Sequence, residues 1–303
     1  MQAEELGAMR SSINQFDGRR ACLTTTIQLP GRLTDSEVVG LPNTVDYDCI
    51  VDGSNVCFVE PTGLVQLALL FHRLRRNGAD ITFLAPGLDV HSYLQRMNFY
   101  ERLPSQVSIQ SSYDVRRFGR SDCSDVLVEL TPFRTAAEVE NASEQAITYL
   151  QRKGLPRPVY KALQMAIPEL CDNVVTHSGS QCGGFLSAQT YSGSTHYLAV
   201  GDAGIGIREH LTRNLLYADI QTDVHAIEMA MKPDVTGTCD HRGWGLDEIL
   251  SSLKETTAAE LLIRSGQGLV RTAVGNQRVR QSRKSTTAIS YAGTLVQVII
   301  RKP

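Results

Sequence analysis

Glu169-Leu-Cys-Asp-Asn173-Val-Val-Thr-His177 lies in a run from Pro158 to Ser178 that reads as one long helix, opened by a proline and terminated by Gly179. Glu169, Asn173 and His177 stand at i, i+4 and i+8, so they share one helix face. A carboxylate and an amide oxygen placed this way can together address a hydrated Mg2+ and a phosphate-bound water. Mg2+ takes few protein oxygens and keeps its other positions for water and phosphates. A polar stripe facing solvent accounts for the same spacing equally well. Pro168 stands inside the run directly before Glu169. It removes one backbone hydrogen bond, at about 3 kcal/mol in an ordinary helix interior, and predicts either a bend or a shifted register. His177 has a simpler reading than catalysis, since a histidine near a helix C-terminus caps carbonyls and favours the dipole.

Two further segments downstream carry chemistry. Val200-Gly-Asp202-Ala-Gly204-Ile-Gly206-Ile207 follows an apolar strand. Its glycines let backbone approach a flat ligand, and a carboxylate at a strand end accepts a hydrogen bond from an exocyclic amine. It fails as a dinucleotide fingerprint, lacking the third glycine and the βαβ frame, and alone it is also an ordinary strand and turn. Arg242-Gly243-Trp-Gly245-Leu246 opens a helix, where exposed N–H groups and the dipole attract an anion such as a triphosphate. A Gly-rich helix start without a ligand is the plain alternative.

Outside these segments the chain divides at Gly119 to Asp125, GRSDCSD, where the rhythm changes. Before it, strands are predicted at Tyr47 to Asp52, Val56 to Val59 and Ile81 to Ala85. Helices are predicted over Thr62 to Arg76 and Val90 to Leu103. That alternation is an α/β sandwich. After it, the spacing predicts a strand at Val126 to Leu130 and a helix over Ala136 to Gly154 before the Pro158 helix. Strands follow at Phe185 to Tyr191 and Tyr197 to Val200, then helices at Asp223 to Met231 and Gly243 to Ser252. The last strands are Leu261 to Arg264, Leu269 to Val274 and Thr294 to Ile300. Paired long helices with antiparallel strands indicate an α+β two-layer sandwich. Gly275 to Ser285, with Arg278, Arg280, Arg283 and Lys284 and no acid, reads as a solvated hairpin tip or a basic patch for a phosphorylated or nucleic-acid partner.

Composition bounds the function classes. With 303 residues, 42% hydrophobic and 20% charged, the chain is globular and long enough for two domains. A net charge of −2 gives no overall footprint for nucleic acid or an anionic membrane. No apolar run approaches a bilayer span of roughly 20 residues, and Met1 to Arg20 is no secretory signal. Seven scattered cysteines without a CxxC pair read as reduced thiols in a cytoplasm.

Acidic-x-x-x-Asn on a long helix, Asp-x-Gly-x-Gly after a strand and Gly-x-Gly-Leu after a variable stretch together resemble the ATP-binding fold of the GHKL superfamily. That group includes DNA gyrases, heat-shock chaperones, histidine kinases and mismatch-repair ATPases. The resemblance covers 126–303 and implies a Bergerat α/β sandwich that binds ATP and Mg2+. By that resemblance Asn173 ligates Mg2+, and Glu169 positions water or a hydroxyl as general base. Asp202 takes the adenine amine in a pocket shaped by Gly204 and Gly206, and Thr294 supports the base through a water. Gly243 and Gly245 face the phosphates. Ile207 to Arg242 is the ATP lid, with His241 and Arg242 available to the γ-phosphate. Glu at 169 is the residue type of the ATPases and of the anti-sigma serine kinases, which this chain looks like.

Val59-Glu60-Pro61-Thr62-Gly63-Leu64 is similar to the phosphoacceptor turn of STAS domains, the anti-anti-sigma fold, and the surrounding pattern implies a STAS-like α/β domain over 20–118. Thr62 maps to the phosphoacceptor. Pro61 and Glu60 depart from the family's Ser and Asp, and Thr62 also reads as a helix N-cap. Two functions follow from these resemblances. One is a cytoplasmic regulator of the anti-sigma serine/threonine kinase type, transferring or hydrolysing the γ-phosphate. The other is a nucleotide-gated interaction module with little turnover. Either implies a protein partner, no nucleic acid and no membrane, and leaves a homodimer open. A sensor histidine kinase lacks its acceptor helix pair before Val126, and a purely structural role leaves the three segments without a reason.

Overall fold

The computed structural model describes residues 10–12, 24–35, 48–113, 127–233, 235 and 245–302. The chain separates into two compact units, Met1–Ser121 and Asp122–Pro303. It is mixed α/β, with one largely parallel sheet and one antiparallel sheet. Among the described residues no helix is long and apolar enough to cross a membrane, and Cys49, Cys57, Cys171 and Cys182 are free thiols.

The N-terminal unit runs β1 (Arg10–Ser12), β2 (Thr24–Gln28), β3 (Arg32–Leu33), β4 (Cys49–Asp52), β5 (Phe58–Val59), α1 (Pro61–Arg76), β6 (Ile81–Leu84), α2 (Leu88–Arg96) and β7 (Val107–Gln110). Its sheet has the order β1-β2-β4-β6-β7, parallel except for β1 against β2, and β3 pairs separately with β5. Phe71, Phe83 and Phe99 form an edge-to-face triangle with centroids 5.1 to 6.0 Å apart, each ring contributing beyond its buried area. The expected helix to Leu103 stops at Arg96, because Asn98 takes φ +59° and ends the α turn. A 3-10 turn over Tyr100–Arg102 follows. Helix α1 begins at Pro61, with Glu60 as its N-cap. Thr62 is therefore the second helical residue and not the cap. Its hydroxyl is buried and, among the described residues, has no hydrogen-bond partner.

The C-terminal unit runs β8 (Leu127–Phe133), α3 (Ala136–Arg152), α4 (Arg157–His177), β9 (Gly184–Tyr191), β10 (Thr195–Asp202), α5 (Ile207–Leu211), α6 (Asp223–Ala230), α7 (Gly245–Leu253), β11 (Ala258–Gly275) and β12 (Arg278–Arg301). The sheet order is β11-β12-β10-β9-β8, antiparallel throughout. Thr135 and Glu138 make a reciprocal capping box at the start of α3, worth about 1 kcal/mol in such positions. Val139, Ala146 and Leu150 of α3, Leu163, Ile167 and Val174 of α4, and Ile249 and Leu253 of α7 share one core with Leu186, Leu198, Val200, Ile263, Val296 and Val298 of the sheet. Helices on that face make the second layer. Helix α4 runs unbroken through Pro168, flanked by buried Ile167 and Leu170, so packing on both sides offsets the missing hydrogen bond.

Two continuous strands replace the three expected after Thr257. β11 bends at register shifts between Ser265 and Gly268 instead of ending there, as bulges allow. Its far half folds back toward its own beginning, since Asn276 N–H donates to Thr256 O and Gln277 N–H to Lys254 O, both at 2.8 Å. Asn276 and Gln277 both have positive φ, a two-residue turn. Gly275 to Ser285 is the solvated hairpin tip expected, exposed from Asn276 to Ser285, with its turn hydrogen-bonded to Lys254 and Thr256 and its remainder in strand.

Candidate functional site

Helix α4 delivers Asn173 and His177 and ends against Ser178, whose hydroxyl donates to Val174 O at 2.6 Å. The carbonyl of Ser178 accepts the Ile205 N–H at 2.8 Å, which ties the helix end to the loop after β10. Asp202, the last residue of β10, is only 3% exposed. Its Oδ1 accepts the Gly204 N–H at 2.7 Å and its Oδ2 the Thr294 N–H at 3.1 Å. The Tyr291 hydroxyl donates to the Asp202 carbonyl at 3.4 Å. A burial this deep is tolerable for a carboxylate only when it is hydrogen-bonded in this way.

The two glycines after Asp202 serve different purposes. A Cβ on Gly204 would stand 2.0 Å from the Ser178 carbonyl oxygen, so only glycine lets the loop lie against the end of α4. Gly206 has φ +81° and caps α5, a conformation glycine adopts without strain. Ser265 Oγ fixes the next residue by accepting the Ile207 N–H at 2.8 Å and donating to Gly293 O at 3.0 Å.

Between these elements lies a cavity of about 150 Å3. Its walls are Leu170, Asn173, Val174, His177 and Ser178 from α4, and Val200, Gly201 and Asp202 from β10. Thr294 and Val296 come from β12, Leu246 from α7, and Gly206, Ile207, His210, Leu211, Ala230 and Val235 from the segment after β10. The lining is mostly aliphatic, with one carboxylate, one carboxamide, two imidazoles and the Ser178 and Thr294 hydroxyls as its polar side chains, the usual make-up of a small-molecule pocket. The rings of His177 and His210 are 5.0 Å apart. Burial, followed by the charges of His177 and Arg213, pushes the His210 pKa down, so that imidazole is neutral near pH 7.

The segment carrying α5 and α6 has a small core of its own in Leu211, Ile220 and Ala226. It is fastened by Asp223, which accepts from Arg208 Nε at 2.7 Å and from the Gln267 N–H at 2.8 Å.

Asn173, Asp202, Gly206 and Thr294, from three separate sequence motifs, therefore line one cavity. Glu169 does not. It stands one turn earlier on α4, half-buried, and the cavity wall starts at Leu170. Gly204 lies behind the wall, against α4. Gly245 begins α7, whose Leu246 reaches the cavity. Arg242, Gly243 and His241 lie outside the described residues. Reading the sequence does not find His210 or Ser265, since neither sits in a recognisable local pattern. Gly293 does carry a signal, the Gly-Thr pair at 293–294. Among the described residues no three His, Cys, Asp or Glu side chains cluster as metal ligands. A cation in this cavity would have the Asn173 oxygen, with its other ligands from water and a bound anion, which suits Mg2+ better than a transition metal.

No protein-family model and no curated protein matches the chain. Among solved structures it is similar to the ATP-binding domain of Francisella tularensis topoisomerase IV in complex with a small-molecule inhibitor, at 14% identity and TM-score 0.30, over 59% of this chain and 43% of that one. The 43K ATPase domain of Thermus thermophilus gyrase B, in complex with an aminocoumarin, is 16% identical with TM-score 0.27, over 55% and 39%. The B-subunit of DNA gyrase from Myxococcus xanthus is 13% identical with TM-score 0.27, over 54% and 43%. The chain spans about two fifths of the length of each of these structures.

Proposed function

We propose that the C-terminal unit is a GHKL-type nucleotide site that binds ATP with Mg2+ and serves a regulatory protein of the anti-sigma serine/threonine kinase kind. The observation that carries this is the convergence on one cavity of a buried carboxylate, Asp202, a helix-borne carboxamide, Asn173, and the Thr294 strand position. Asp202 would accept the exocyclic amine of the base, with Val200, Val296 and Leu211 against its faces. Asn173 would hold Mg2+ through its amide oxygen, and the metal would neutralise phosphate charge. Glu169, one turn along the same helix, would orient water or a hydroxyl for γ-phosphoryl transfer, with Gly243 and Gly245 toward the phosphates. Catalysis at such a site is positioning and charge neutralisation. The N-terminal unit is read as STAS-like, with a protein partner and Thr62 at the possible phosphoacceptor position.

The test is an equilibrium titration of the full chain with ATP·Mg, repeated with GTP·Mg, alongside labelled ATP turnover by wild type and Glu169→Ala. ATP binding that exceeds GTP binding supports the site, and no ATP binding at millimolar concentration ends the proposal. Turnover abolished by Glu169→Ala supports the kinase or ATPase branch.

A second reading, a nucleotide-gated interaction module with little turnover, is favoured by one observation. Ile207, His210, Leu211 and Ala230 of the α5–α6 segment wall the cavity while Glu169 does not, so ligand contact bears directly on that segment. Proteolysis across 207–233 that is unchanged by ATP·Mg would remove this reading.

A further inference from the structure

The last acidic residue of the chain is Glu260, and every charged side chain after it is basic. Four of these cations, Arg278, Arg280, Arg283 and Lys284, fall within Arg278–Thr286 of β12, in which all residues are exposed. One edge of that stretch is paired with β11 from Gly268 to Gly275. Its other edge is open, because β10 pairs with β12 only from Leu295 to Arg301, and among the described residues no other strand lies beside it. Two cations are engaged locally, Lys284 with Glu228 of α6 and Arg280 with the Thr257 carbonyl at 2.8 Å. Val279, between Arg278 and Arg280, is 47% exposed.

An open strand edge presents alternating N–H and C=O groups and templates another strand. We infer that the outer edge of Arg278–Thr286 is a docking edge for an acidic peptide segment in extended form, which pairs its main chain with β12 and sets its carboxylates against Arg278 and Arg283. Main-chain pairing supplies affinity and the side chains supply selectivity, the usual division in strand addition. A second copy of this chain is a poor occupant, since edge-to-edge pairing would face cation against cation. Nucleic acid would meet the charge but leave the main-chain groups unpaired, so a peptide is the better match. The docked turn at Asn276–Gln277 holds the edge in place before a partner arrives, which lowers the ordering cost.

The test is fluorescence anisotropy of the full chain with a labelled peptide of alternating Glu and Val, about ten residues long to match the strand. At low salt, about 50 mM, saturable binding is expected, weakening at least about tenfold by 0.5 M as the charges are screened. The Arg278→Glu/Arg283→Glu variant should lose at least about tenfold in affinity. So should the same peptide N-methylated at alternate residues against the unaltered protein, because it can no longer donate to the edge. No binding of the parent peptide overturns the inference. Equal binding of the N-methylated peptide, an unaffected double variant, or a single-stranded oligonucleotide of about 20 nucleotides that binds more tightly than the peptide does so too.

Discussion

Replacing Asp202 by Asn changes one atom and tests both the fold and the site. Asp202 is nearly fully buried, and its two oxygens accept the Gly204 and Thr294 N–H groups at 2.7 and 3.1 Å. Asparagine retains one acceptor and turns an NH2 toward the other N–H, leaving two buried donors face to face. Hydrogen bonds to a charged partner contribute about 1.5–3 kcal/mol each, and an orphaned buried donor costs about 1–3 kcal/mol. The variant should therefore unfold about 2–4 kcal/mol more easily, a large share of the roughly 5–15 kcal/mol that holds a domain. Urea unfolding reads this as a lower midpoint at unchanged slope. In the folded variant, ATP·Mg should bind roughly 10- to 150-fold more weakly, the same 1.5–3 kcal/mol expressed as a ratio. An unaltered urea midpoint refutes the carboxylate as the joint between the β10 loop and β12. Equal ATP affinity in a folded variant refutes it as the base acceptor.

Three further outcomes are expected. Gly204→Ala places a methyl group 2.0 Å from the Ser178 carbonyl oxygen and should cost at least about 1–3 kcal/mol; a melting temperature equal to wild type rules out the close approach. His196 is buried, and burial, aided by Lys302 and Lys153, pushes its pKa from 6.5 down to about 4. The unfolded chain then takes the proton first, so stability present above pH ~6.5 is lost as pH falls toward ~4, by about 3 kcal/mol. His196→Gln should flatten this slope in urea unfolding at stepped pH, and an equally steep variant assigns the effect elsewhere. Asp223→Ala removes the Arg208 ion pair and the Gln267 hydrogen bond. Amide exchange over 207–233 should accelerate at least about tenfold with little change in α3 or α4; unchanged exchange means the α5–α6 segment is held by other contacts.

The helical layer was legible in the chain because apolar period and end signals agree. The spacing predicts Ala136 to Gly154 and Pro158 to Ser178, and the structure has Ala136–Arg152 and Arg157–His177. The tip of the β11–β12 hairpin was also legible, but the length of its strands was not. The sequence reading ends one strand at Arg264 and starts another at Leu269, whereas Gly266 and Gly268 permit a bend within one strand. The exposed run after Arg278 has no apolar alternation by which a strand announces itself. The cavity is half visible for a related reason. Asn173 and Asp202 belong to motifs, so their residue types carry a signal, while His210 and Ser265 acquire their places only when α5, β11 and β12 meet. Glu169 shows the limit of face periodicity. Sharing a helix stripe with Asn173 does not bring it to the cavity wall, which begins one residue later.

The bond from Ile205 to Ser178, with Gly204 seated beneath it, welds the end of α4 to the strand that bears Asp202. The bond and the close contact set the spacing between the carboxamide at 173 and the carboxylate at 202, which works as a ruler. At the proposed nucleotide site such a ruler would measure a ligand's head against its shoulder and be indifferent to what hangs beyond. Telling a long tail from a short one would then fall to the separately cored α5–α6 segment, whose own anchor, Asp223, bonds to a different strand, β11.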